Sequence, residues 1–186
     1  MLVLAEAYRS LFKYVSVFFL LLAVTISVYY MLRITFGLDP LFPIGENFVV
    51  REVPSPKDFP IYAKPITYIV YSIMLAWLFG LEALRDRFSR ISFTWIELFM
   101  VVSAFLMFLS GYEMFYNFTI GSALMASQTQ SGKMSYSPDL LVNSFPNPAY
   151  PVNLVFATKI FSLIFFVALY FLLYLLTVIW KKGRGN

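Results

Sequence analysis

Three runs of the chain contain no charged side chain: nineteen residues between Lys13 and Arg33, seventeen between Lys64 and Glu82, and twenty-one from Ile160 to Trp180. A fourth, about Ile91 to Tyr116, is apolar apart from Glu97 and Glu113. About 20 apolar residues in a helix cross about 30 Å of hydrocarbon, and a helix pairs its backbone N–H and C=O groups within one segment, as a medium without water demands. The expected fold class is therefore an all-α membrane protein. It would be a bundle of four transmembrane helices over about 12–34, 65–84, 91–116 and 156–180, forming a single domain.

Composition narrows the chemistry. Of 186 residues, 60% are hydrophobic and 13% charged, far outside the soluble balance. With no cysteine and no histidine, disulfides, thiolate nucleophiles, common zinc sites, imidazole-ligated haem and imidazole acid–base catalysis are all excluded. That removes most enzyme classes, and no residue supports a catalytic, cofactor-binding or metal-binding assignment; no cofactor is expected. The pI near 9.2 does not point to nucleic acid, because the basic residues sit at the ends of apolar runs rather than in one patch. Depletion of thermolabile cysteine beside abundant Phe and Tyr fits a thermophilic, archaeal source. The opening MLVLAEAYRSLFK lacks a small-residue cleavage pattern, so the first span is expected to be retained.

Orientation follows from cations near the span ends, which are held in the cytoplasm. Arg9 and Lys13, then Arg85, Arg87 and Arg90 in the inner turn 85–90, then Lys181, Lys182 and Arg184 place both termini inside. The outer segments, about 37–64 and 118–152, dilute their cations among acids and hold all ten prolines within or at their borders. Two proline-rich outer loops result, expected to pack on each other or on a partner. FVVREV (48–53) in the first reads as a strand or extended edge. Asp86 and Arg90, at i, i+4 spacing, read as a solvated helix end.

Few groups remain for function. Glu97 and Glu113 are sixteen residues apart, about 24 Å along a helix and about 160° around it, so they cannot form a paired site. Glu113, within SGYEMFYNF, is flanked by aromatics of the headgroup zone and reads first as an interfacial marker, with an ion or proton role or an interhelical or intersubunit pair as the competing expectations. Glu97 lies deeper and is the stronger candidate for an ion, proton or intersubunit role, with Arg85, Arg87 or Arg90 as partners.

Ser103, Ala104, Ser110, Gly111 and Gly121 form a face of small residues, which in lipid allows close helix approach; this is the expected packing seam. The helix can continue through GYEMFYNFTIGSALMAS to about 37 residues and about 55 Å, with a break at Gly121 as the competing expectation. Asn117-Phe118-Thr119 matches a glycan acceptor close to the membrane. Trp95 and Trp180 on the inner side, and Tyr29, Tyr30, Tyr62 and Tyr68 on the outer, fit interfacial belts.

The expected role is a non-catalytic accessory or scaffold subunit of a larger plasma-membrane complex, in the respiratory or energy-converting class. Its partners would be other integral membrane subunits and lipids, with no nucleic acid. One competing expectation is a small ion- or proton-coupled transporter or channel using Glu97. Another is a quinone-interacting subunit using the aromatic runs of spans one and four.

Overall fold

A computed structural model describes residues 2–39, 41, 44–50, 64–130, 142–143 and 152–184. In chain order the elements are α1 (Leu2–Thr35), α2 (Glu46–Val50), α3 (Pro65–Ala83), α4 (Arg85–Ser89), α5 (Phe93–Gln130), β1 (Val142–Asn143), β2 (Val152–Asn153) and α6 (Leu154–Arg184). Four helices, over Tyr8–Thr35, Pro65–Ala83, Phe93–Leu124 and Leu154–Gly183, are long and apolar enough to cross a membrane. Most of the outer segments expected at 37–64 and 118–152, with every proline but Pro65, lies outside the described residues, as does Tyr62.

Local chemistry sets several boundaries. Lys64 precedes α3 in extended conformation, as a residue before proline prefers, and Pro65 occupies the first turn, where its missing N–H costs no hydrogen bond. At the head of α6, Asn153 Oδ1 accepts from Val155 N (2.9 Å) and Phe156 N (3.1 Å), capping two N–H groups that the helix itself leaves unpaired. The third helix runs unbroken through Gly121 to Gln130, 38 residues and about 57 Å, as the continuous alternative expected, and without the competing break at Gly121.

Antiparallel pairing joins α1 to α3 and α5 to α6, and the two hairpins meet where α3 runs parallel to α6. The main contacts therefore follow the order α1–α3–α6–α5, an open row rather than a closed ring. Burial agrees: 11% and 17% of the most apolar windows of α1 and α5 are covered, against 33% and 28% for α3 and α6. Two apolar clusters hold the row. Tyr30, Phe48, Ile66, Ile69, Val70 and Leu163 pack at the loop end, and Leu81, Ile96, Tyr174, Leu175 and Val178 at the end that bears the termini.

Tyr30, expected in an interfacial belt, is 3% exposed within the first cluster, because α2 folds Phe48 over it; neighbouring Tyr29 stays exposed. Between α1 and α3, Ser16 Oγ donates to Ala76 O (2.7 Å), and a Cβ at Gly80 would stand 3.1 Å from that hydroxyl. At the terminal end Arg9 pairs with Asp86 of α4, so Asp86 has a partner across the molecule rather than along its own helix.

The loop end is closed by a polar clasp. Asn153 Nδ2 donates to Glu46 Oε2 (2.8 Å) and Asn153 N donates to Ile44 O (3.0 Å), while Val142 and Asn143 pair antiparallel with Asn153 and Val152. Asn47 Nδ2 donates to Tyr30 O (3.2 Å), and Arg33 grips the buried Asp39 with two bonds, 2.7 and 3.2 Å. This clasp explains a difference from expectation: Phe48 to Val50 are the end of helix α2, not a strand, and 51–53 lie outside the described residues. Gly45, at φ +86°, turns the chain tightly enough that a Cβ there would sit 2.2 Å from the Phe156 ring, and Phe48 is carried inward.

Replacing Asn153 with Ala removes the helix cap and the Glu46 partner together. Asn153→Ala is expected to lower stability by about 2–3 kcal/mol, read by thermal or denaturant unfolding in detergent.

Candidate functional site

Both carboxylates singled out from the sequence lie on α5, at separate places. Glu97 is exposed in the second turn and Glu113 is half-buried four turns further on. Because the helix is continuous, their separation stays at about 24 Å and about 160°. Neither carboxylate bonds to another described residue. Neither lines any of the clefts described below. Of the cations expected beside Glu97, Arg85 instead meets Glu82 at 3.7 Å. Trp95 and Trp180, expected in the inner belt, are each 56% exposed.

The small residues of α5 are covered by α6. Ser103, Ser110, Gly111 and Gly121 are buried and Ala104 half-buried. A Cβ at Gly111 would stand 3.2 Å from the Phe165 ring, so glycine lets that ring lie against the α5 backbone. The Ser103 and Ser110 hydroxyls donate to Phe99 O (2.7 Å) and Leu106 O (2.5 Å) within their own helix. They serve the seam by being small, not by bridging it. Asn117 of the glycan-acceptor pattern is buried in the same helix, its amide donating to Glu113 O at 2.7 Å.

The most distinctive constellation belongs to a residue that lies inside the expected span 156–180 but was not among the candidate site residues. Lys159 lies in the second turn of α6, within the candidate membrane span Leu154–Gly183 and just before its uncharged run from Ile160 to Trp180. Its Nζ donates to Thr67 Oγ1 of α3 at 2.5 Å. Together with Ser162 and Tyr71 these residues line a cleft of about 360 Å³ between the two central helices. An apolar cleft of about 280 Å³ continues from it, sharing Tyr71, Met74 and Phe166 and reaching Trp77 and Leu173. On the other side of Lys159, a smaller cleft of about 210 Å³ opens toward Phe118 and Gly121 of α5. Asn153, two residues after Pro151 and just before LVFATK, is a legible helix start, but no local signal marks the meeting of Lys159 with Thr67, which depends on which faces of α3 and α6 touch.

A second polar cleft lies at the terminal end, lined by Arg9, Lys13, Ser16, Gly80 and Arg87. No protein-family model matches the chain, and neither a curated protein nor a solved structure is similar to it. What the arrangement offers is binding and packing. Among the described residues no cluster of acids could hold a metal ion, and none of the described clefts contains a carboxylate.

Gly111→Val is expected to cost about 1–3 kcal/mol by overpacking against Phe165, with Phe165→Leu restoring part of the loss in a double-mutant cycle. Glu97→Gln, with no partner among the described residues to lose, is expected to change unfolding stability by less than about 0.5 kcal/mol in the same assay.

Proposed function

We propose that this chain is a non-catalytic structural subunit of a larger integral membrane assembly. The observation that carries the reading is the length of α5. Its apolar segment of 32 residues spans about 48 Å, against about 30 Å of hydrocarbon and about 40–45 Å with the headgroups. Tilting alone would require roughly 50°, beyond the usual range of about 0–40°. The tip of α5 beyond the exposed Phe115 and Phe118 therefore projects past the headgroup zone, and its exposed rings at that edge call for a covering protein surface. The open row supports the same reading, since α1 and α5 each offer a long outer face to a neighbour.

In this reading both termini lie in the cytoplasm, the two long connections face outward, and the protein resides in the plasma membrane. A respiratory or energy-converting complex is the assembly that best matches a small aromatic subunit without redox ligands of its own. Transport through this chain alone has less support: Glu97 faces away from every described cleft, and the seams between helices are filled by apolar side chains.

A chain without cysteine is ready for single-cysteine work. Ser10→Cys and Gly183→Cys should resist a membrane-impermeant maleimide in intact cells while Ser127→Cys reacts; the reverse pattern would invert the topology. Photo-crosslinking residues placed at Phe108 and Phe115 are expected to join the chain to one and the same integral membrane protein, and residues placed at buried Ile96 should not. A homo-oligomer that conducts ions in proteoliposomes, and loses conduction in Glu97→Gln, would reverse the ranking.

A further inference from the structure

Lys159 poses an electrostatic problem that its described neighbours do not solve. An ammonium in an apolar segment costs several kcal/mol unless it is paired or reaches water, and no described carboxylate pairs with it. Its one bond goes to the neutral hydroxyl of Thr67. An ammonium has three N–H donors, so two remain, and Thr67, having accepted, still has its own O–H to give. Ser162, whose hydroxyl donates to Thr158 O at 2.7 Å, makes no bond to Lys159. The head of the cleft is thus a cation with unused donors and no acceptor of matching charge.

The rest of the cleft fits a hydrocarbon chain. From Ser162 to Leu173 along α6 is eleven residues, about 16 Å, which is the depth of one leaflet of a core about 30 Å thick. Over that length the walls are Met74, Trp77, Phe166 and Leu173 with the ring of Tyr71. A polar, cationic head continuous with an apolar trough of leaflet depth matches an amphiphile with an anionic headgroup.

We propose that the α3/α6 cleft binds an anionic phospholipid, its phosphate on Lys159 and Thr67 and one acyl chain along Trp77 and Leu173. A quinone carbonyl would accept from the same donors, but its reduction takes up protons, and no carboxylate or histidine lines the cleft to deliver them. The lipid supplies the missing negative charge and joins the two hairpins at their seam. This site does not depend on the subunit reading, because a chain with no protein partner would bind the lipid equally well.

The test uses the full chain with Trp95→Phe and Trp180→Phe, leaving Trp77 as the sole tryptophan, in phosphatidylcholine vesicles. Quenching of Trp77 is titrated with brominated-chain phosphatidylglycerol and, separately, with brominated phosphatidylcholine. The anionic lipid is expected to bind about fivefold more tightly, the factor one lysine near the surface supplies. Lys159→Gln should bring the two lipids to parity, and Lys159→Arg should keep the preference. Thr67→Val, which retains the side-chain shape, should reduce the preference and serves as the reading if Lys159→Gln does not fold. Millimolar inorganic phosphate should not displace the anionic lipid. Equal quenching by both lipids in the parent, an unchanged preference in Lys159→Gln or Thr67→Val, or displacement by a long-chain quinone but not by unbrominated phosphatidylglycerol would each overturn the assignment.

Discussion

The seam between α3 and α6 is the contact on which the tertiary arrangement rests. Each hairpin has its own internal packing, α1 on α3 and α5 on α6, but the two are held together chiefly by the central pair. Along that pair the contacts run from Lys159–Thr67 at the loop end, through Trp77 against Phe171, to Tyr174, whose hydroxyl donates to Leu81 O at 3.2 Å. Both apolar clusters include residues of α3 and α6. Loosening this seam would separate the hairpins while leaving each helix intact, because helices in lipid keep their backbone bonds whatever their neighbours do.

Polar groups in the structure are organised to the same end. No buried side-chain nitrogen or oxygen among the described residues lacks a partner. Within the long helices most hydroxyls are turned onto their own backbone, as at Ser27, Ser103, Ser110 and Ser162. Groups bonded that way allow the helices to approach closely without a polar bridge between them. At the loop end the rule changes, and Asn47, Asn153, Glu46, Arg33 and Asp39 bond across elements. There the backbone leaves its helices and must find partners elsewhere.

How much was legible depended on whether the signal was local. The second span was readable almost to the residue, because Pro65 opens it and Glu82 marks its far end. The third was expected to leave the membrane near 116 and to continue as helix or break at Gly121; it continues, since nothing in GYEMFYNFTIGSALMAS stops a helix. Phe48 to Val50 looked like a strand by alternation, but burial of Phe48 between Tyr30 and Phe156 outweighed that weak preference. Tyr29 and Tyr30 are indistinguishable by type, and the arrival of α2 over one of them separates a buried ring from an exposed one. Lys159 fell within the expected span 156–180, but only the approach of α3, which brings Thr67 to it, makes it the head of a cleft.

By itself the sequence determined that this chain has four helices capable of crossing a membrane, where their ends fall to within a few residues or a few turns, and that imidazole and thiol chemistry are closed to it. These properties depend on the length, polarity and composition of single segments, and a single segment carries them. Tertiary structure decided the order in which the helices lie, the isolation of Glu97 and Glu113 from any described cleft, and the meeting of Lys159 with Thr67, which are 92 positions apart. Such properties arise from which faces of distant helices touch, and in spans that are apolar on nearly every side no hydrophobic stripe announces the contacting face.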